Sequence, residues 1–119
     1  MKLSTLVLNA SVLILSASTT TNAWYFTTYT SPGCPAGQVS DSFTGDGNKE
    51  CTPELAPNTF SLLPRPGTLG YCIINVYETL ICEDEDEPAD VFAEGDTCGS
   101  AETRPWRAYK ITNCNDGDD

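Results

Sequence analysis

Three observations predict a mostly β fold: a small, disulfide-stabilised antiparallel β domain with at most one short helix. Six cysteines, Cys34, Cys51, Cys72, Cys82, Cys98 and Cys114, are spread along a chain of 119 residues. All six follow an N-terminal stretch that reads as a secretory leader, so they belong to a compartment where thiols oxidise. Aromatic and β-branched residues gather in short runs broken by Gly and Pro, and almost nothing repeats with a helical period.

The leader is argued from its own chemistry. Lys2 supplies a positive start, and residues 6–15 form an apolar run interrupted only by Asn9, Ala10 and Ser11. That run is too short for the roughly 20 apolar residues a membrane crossing needs. Small and polar residues follow to Ala23, and Trp24 and Tyr25 begin a different composition. Residues 1–23 are therefore read as a signal peptide. Residues 24–119 are read as a single six-cysteine domain with an acidic C-terminal tail.

Within that domain, Trp24, Tyr25, Phe26, Thr27, Thr28 and Tyr29 predict a first strand, ended by Ser31, Pro32 and Gly33. Residues 44–48 read as a turn. Residues 52–70, with four prolines and two glycines, read as a surface crossing with short pairing around 59–63. Residues 71–81 are the clearest strand, with Cys72, Ile74, Val76 and Leu80 on one face and Ile73, Tyr77 and Ile81 on the other. Apolar residues on both faces place that strand centrally. Residues 87–95 predict a two-turn helix, with Pro88 early and Gly95 as its stop. Residues 106–114 alternate as a half-exposed final strand.

A domain with few long aliphatic runs leans on its bridges. A disulfide closing a loop of about 15 residues contributes on the order of 3 kcal/mol, and net domain stability is only about 5–15 kcal/mol. The spacing leaves the pairing open with one restriction. If residues 72–82 are one extended strand, its ends lie about 30 Å apart, which disfavours a Cys72–Cys82 bond.

Charge and composition then exclude function classes. The chain carries 17 acidic and 6 basic residues, for a net charge of −11, and losing Lys2 with the leader makes it −12. Such a surface repels phosphate backbones and anionic lipids, so neither nucleic acid nor membrane is an expected partner. With no histidine, Ser-His-Asp and Cys-His catalysis and imidazole metal ligands are excluded. No CxxC spacing suggests zinc, and Gly45, Asp46 and Gly47 lack the lysine of a phosphate loop. The only N-x-S/T acceptor, at Asn9, lies in the leader. No cofactor and no catalytic residue are assigned.

Two features remain. Residues 83–87 are all acidic, and Asp84, Asp86 and Asp90 are hard oxygen donors suited to calcium. An EF-hand register started at Asp84, however, puts Pro88 and Ala89 at a ligand and the turn glycine, and Gly95 at the final glutamate, so no metal site is assigned. The aromatics Trp24, Tyr25, Phe26 and Tyr29, with Trp106 and Tyr109 on the last strand, supply stacking planes for a glycan or anchors for a protein interface.

The leader, the single domain, the six spaced cysteines and the aromatic strand of residues 106–114 running into Cys114 together resemble the small cysteine-rich secreted proteins of filamentous fungi. The resemblance is architectural, and many of those proteins are effector candidates. It implies a secreted, monomeric, non-enzymatic protein that binds an extracellular host protein or glycan. Other readings are a small hydrolase using paired carboxylates, a structural cell-wall protein, or a protease inhibitor presenting the loop of residues 62–66. Secreted material is expected to begin at Trp24, and an intact mass still containing residues 1–23 would refute the predicted leader.

Overall fold

The computed structural model describes residues 23–82 and 87–114. Among the described residues, eight strands build two four-stranded antiparallel sheets around a shared core, the mostly β, antiparallel architecture expected from the sequence. The strands are β1 (Ala23–Tyr29), β2 (Val39–Asp46), β3 (Lys49–Thr52), β4 (Ser61–Pro64), β5 (Ile73–Tyr77), β6 (Asp90–Phe92), β7 (Gly99–Ser100) and β8 (Ala108–Thr112). The first sheet runs β2-β1-β4-β7 and the second β3-β8-β5-β6. The chain changes sheet at every connection except β1 to β2 and β5 to β6.

Alternation along β1 sets the core. Trp24, Phe26 and Thr28 are buried, while Tyr25 and Thr27 between them are only half-buried. The inward residues meet Ile74, Val76, Tyr109 and Ile111 of the second sheet in one cluster with Leu55, Leu62, Leu69, Phe92 and Trp106. Burying side chains of this size stabilises by about 1.5–3 kcal/mol each. β1 and β4 are interior strands of the first sheet, and β8 and β5 of the second.

The open edges differ in length. β2 spans 8 residues, against 2 for β7, 4 for β3 and 3 for β6. Asp41 and Asp46 stand exposed on β2.

Several expectations are corrected. Residues 87–95 form no helix: Asp90–Phe92 pairs with β5 and delivers Phe92 to the core, because burying that ring outweighs two exposed helical turns. The only helical element among the described residues is a 3-10 turn, Ala36–Gln38. The strand read across residues 71–81 is shorter, since a turn donates the Cys72 amide to the Leu69 carbonyl and the chain bends after Tyr77. The stretch 52–70 does more than cross the surface: β4 lies between β1 and β7, and Leu55 and Leu69 are buried. Of residues 62–66, read as an exposed loop, Leu62, Leu63 and Pro64 thus belong to β4, with Leu62 fully buried, and only Arg65 and Pro66 are exposed. The 44–48 turn is confined to its last two residues, because Asp46 still pairs with Ala23.

The bridges join Cys34 to Cys98, Cys51 to Cys82 and Cys72 to Cys114. Their sequence separations of 64, 31 and 42 residues exceed any gap between successive cysteines. Loops of that length put each bridge, taken alone, at about 3.5–4.5 kcal/mol. Ser61 supports the turn that carries Cys34, its hydroxyl donating to the Ser31 carbonyl and accepting the Cys34 amide.

Register explains one glycine. Gly45 faces Trp24 across the β1–β2 pair, and a Cβ there would stand 2.6 Å from the indole. Gly45→Ala is expected to cost about 1–3 kcal/mol by overpacking, read as a lower urea midpoint with unchanged slope.

Candidate binding surface

The six aromatic candidates separate sharply. Trp24, Phe26, Tyr29, Trp106 and Tyr109 are buried, which corrects their reading as binding residues. Trp24 stacks on Phe26 at 5.9 Å, and Tyr109 meets Trp24 and Phe26 edge-on at 6.3 and 5.2 Å. Trp106 packs against Phe92 at 5.9 Å. The Trp24 indole N–H donates to the Gly47 carbonyl at 2.9 Å, so even its polar atom is committed to the fold. Burial, with the charges of Glu54 and Asp41 added, pushes the Tyr109 hydroxyl up to about 12, so it stays a neutral phenol at ordinary pH.

Tyr25 is the candidate left facing outward. It pairs with Thr44 on one side, and its carbonyl accepts the Arg65 amide at 2.8 Å on the other. The Arg65 guanidinium lies 5.1 Å from the Tyr25 ring centroid, a cation–π distance. Around them, Thr27, Leu63, Pro64 and Pro66 complete a shallow groove of about 290 Å³ on the outer face of the first sheet. Beyond it, Thr27 and Ser42 bring their hydroxyls to 3.5 Å, at the edge of hydrogen bonding.

The groove is held from behind by a turn the sequence did not announce. The Thr68 hydroxyl donates to the Arg65 carbonyl at 2.8 Å and accepts the Tyr25 amide at 3.3 Å. Past it, the Glu94 carboxylate accepts the amides of Gly67, Leu69 and Gly70 at 2.7, 2.9 and 3.2 Å. The bond from Gly67 and then that from Leu69 hold this carboxyl below its usual range. Gly67 and Gly70 take φ of +82° and +57°, which lets consecutive amides converge on one anion.

A second, acidic region lies elsewhere. Two shallow grooves of about 310 and 220 Å³ share Glu78 and Ala89. Glu87 lines the first, while Asp90, Glu102 and Trp106 line the second. Asp90 thus faces a groove, and one of its oxygens accepts the Val91 amide. Asp84 and Asp86, the other calcium candidates, and the acidic tail from residue 115 lie outside the described residues. Among the described residues no cluster of three or more carboxylates or cysteines is arranged to hold a metal ion, and no helix is long and apolar enough to cross a membrane. Set against known protein families, curated proteins and solved structures, the chain has no match.

Because Glu94 titrates lower in the folded chain than in the unfolded one, its stabilising contribution is present above the ordinary glutamate range and is lost as pH falls through the depressed value. Amide exchange at Gly67, Leu69 and Gly70 is expected to be slow at pH 6, faster in acid after correction for intrinsic rates, and fast at both pH values in Glu94→Gln.

Proposed function

We propose that this protein is a secreted, non-enzymatic binding protein of the effector-candidate type. It recognises an extracellular protein or glycan through the outer face of its first sheet. The observation that carries this reading is the Arg65 guanidinium lying over Tyr25 within a groove of Leu63, Pro64 and Pro66. Tyrosine and arginine are the side chains most often found to dominate interface energies, because each combines a broad apolar surface with directional hydrogen bonding. At about 290 Å³ the groove falls at the lower limit of small-molecule pockets, so it suits a knob on a larger partner. The Thr68 and Glu94 bonds hold its rim in place. Ordering a long side chain on binding costs about 0.5–1.5 kcal/mol, and a groove built in advance avoids part of that cost.

The acidic grooves favour a second reading, a carboxylate-dependent hydrolase, since Glu78, Asp90 and Glu102 line one cleft. One experiment separates the two. The oxidised domain is immobilised and exposed to extracellular extract and insoluble wall glycans, with turnover of the same glycans assayed in parallel. Saturable capture that falls at least tenfold in Tyr25→Ala and Arg65→Ala is the expected result, with near-UV circular dichroism unchanged. Glycan turnover that disappears in Glu78→Gln, with no capture, would select the hydrolase.

A further inference from the structure

The outer edge of β2 offers a row of backbone hydrogen-bonding groups, and its partner β1 shows which they are. The Tyr25 and Tyr29 carbonyls accept the Arg65 and Phe60 amides, so both residues turn their backbone groups away from β2. Alternation then turns those of Trp24, Phe26 and Thr28 toward it, onto Gly45, Phe43 and Asp41. Between these, Ser42 and Thr44 aim their amides and carbonyls at the open side, where β2 has no neighbour among the described residues. Both residues are exposed.

One of those amides is held already. The Asp41 carboxylate accepts the Ser42 amide at 2.9 Å. A strand pairing at Ser42 displaces that carboxylate, and an uncharged strand gives it nothing in return. A lysine or arginine on the incoming strand replaces the lost bond with a charge-assisted one. Asp46 stands exposed at the end of the same strand, and its position relative to Asp41 puts the two on opposite faces of the sheet. No lysine or arginine stands in β1, β2, β4 or β7, so the strands of this sheet carry acidic charge alone.

We propose that the open edge of β2 binds an extended, basic segment of a partner protein, which joins the four-stranded first sheet as a further strand. Main-chain hydrogen bonds to Ser42 and Thr44 supply the affinity, as in other cases of strand addition. Cations on both faces of the incoming strand, set against Asp41 and Asp46, select basic segments over neutral or acidic ones. This site uses the backbone of β2 and does not depend on the groove of Tyr25 and Arg65.

The test uses the full oxidised chain and a synthetic peptide as long as β2, made of valine and threonine with lysines on both faces. Of two control peptides, one carries glutamate in place of lysine. The other keeps the lysines but has N-methyl groups on its backbone amides. The expected result is saturable binding of the lysine peptide, read by fluorescence anisotropy, with both controls at least tenfold weaker. Amide exchange should slow at Ser42 and Thr44 and stay unchanged at Phe43, which already bonds to β1. Asp41→Asn combined with Asp46→Asn is expected to weaken binding at least tenfold with an unchanged near-UV spectrum, because an asparagine oxygen still accepts the Ser42 amide. Arg65→Ala, which disables the groove, should bind the peptide as the parent does, and so should Glu78→Gln combined with Glu102→Gln. No saturable binding at millimolar peptide, equal binding of the N-methylated peptide, or an equal loss in the Glu78 and Glu102 variant would overturn the proposal. So would protection of Ser42 and Thr44 that grows with the concentration of the chain alone, which would put a second copy at this edge.

Discussion

Tyr109 touches Trp24, Phe26 and Phe43 across the space between the sheets, with ring centroids 5.1–6.3 Å apart. Most of the architecture depends on that contact. It fixes which face of β1 turns inward, and so commits Trp24 and Phe26 to the core. Lys49 adds its ammonium 5.9 Å from the Tyr109 ring, placing a cation of β3 beside the same cluster. With its large rings used in this way, a domain short of long aliphatic runs obtains a close-packed interior. The same choice leaves Tyr25 outside, where it meets Arg65. Core and surface are two sides of one alternation.

The second constraint is connectivity. A chain that changes sheet at most connections pairs residues far apart in sequence, and such topologies pay a large loop-closure entropy before contacts repay it. Three long-range bridges reduce that entropy in the unfolded chain. They also sort the surface into fixed and displayed parts. The Cys51–Cys82 bridge fixes the chain just after the exposed Leu80 and Ile81, while Glu94 performs a comparable task without a covalent bond for residues 67–70.

How far the sequence could be read follows from which signals are local. β1 and the heart of β5 were legible because alternating apolar residues declare a strand within a few positions. Period alone says that one face of β1 is buried but not which, and five aromatics offered as binding planes proved to be core. Pro88 and Gly95 mark a helix or a loop equally well, and only the pairing of β6 with β5 decides between them. Gly45 reads as a turn residue until register sets it against Trp24. The clamp of Glu94 had no local cue, since its three partners lie 24 to 27 residues earlier. Leu80 and Ile81 looked like the end of a strand because their apolar character continued its pattern. The bend after Tyr77 made them the tip of a loop.

The eight-residue outer strand β2 gives the acidity of the chain another meaning. A strand of this length with one open edge is a template for a neighbouring molecule, and no proline interrupts it. Exposed Asp41 and Asp46 lie along it, and every copy carries the same excess of carboxylates. Two such edges brought together would oppose like charges, which disfavours edge-to-edge pairing. Negative charge that looked like evidence about partners also bears on how this edge would meet a second copy of itself.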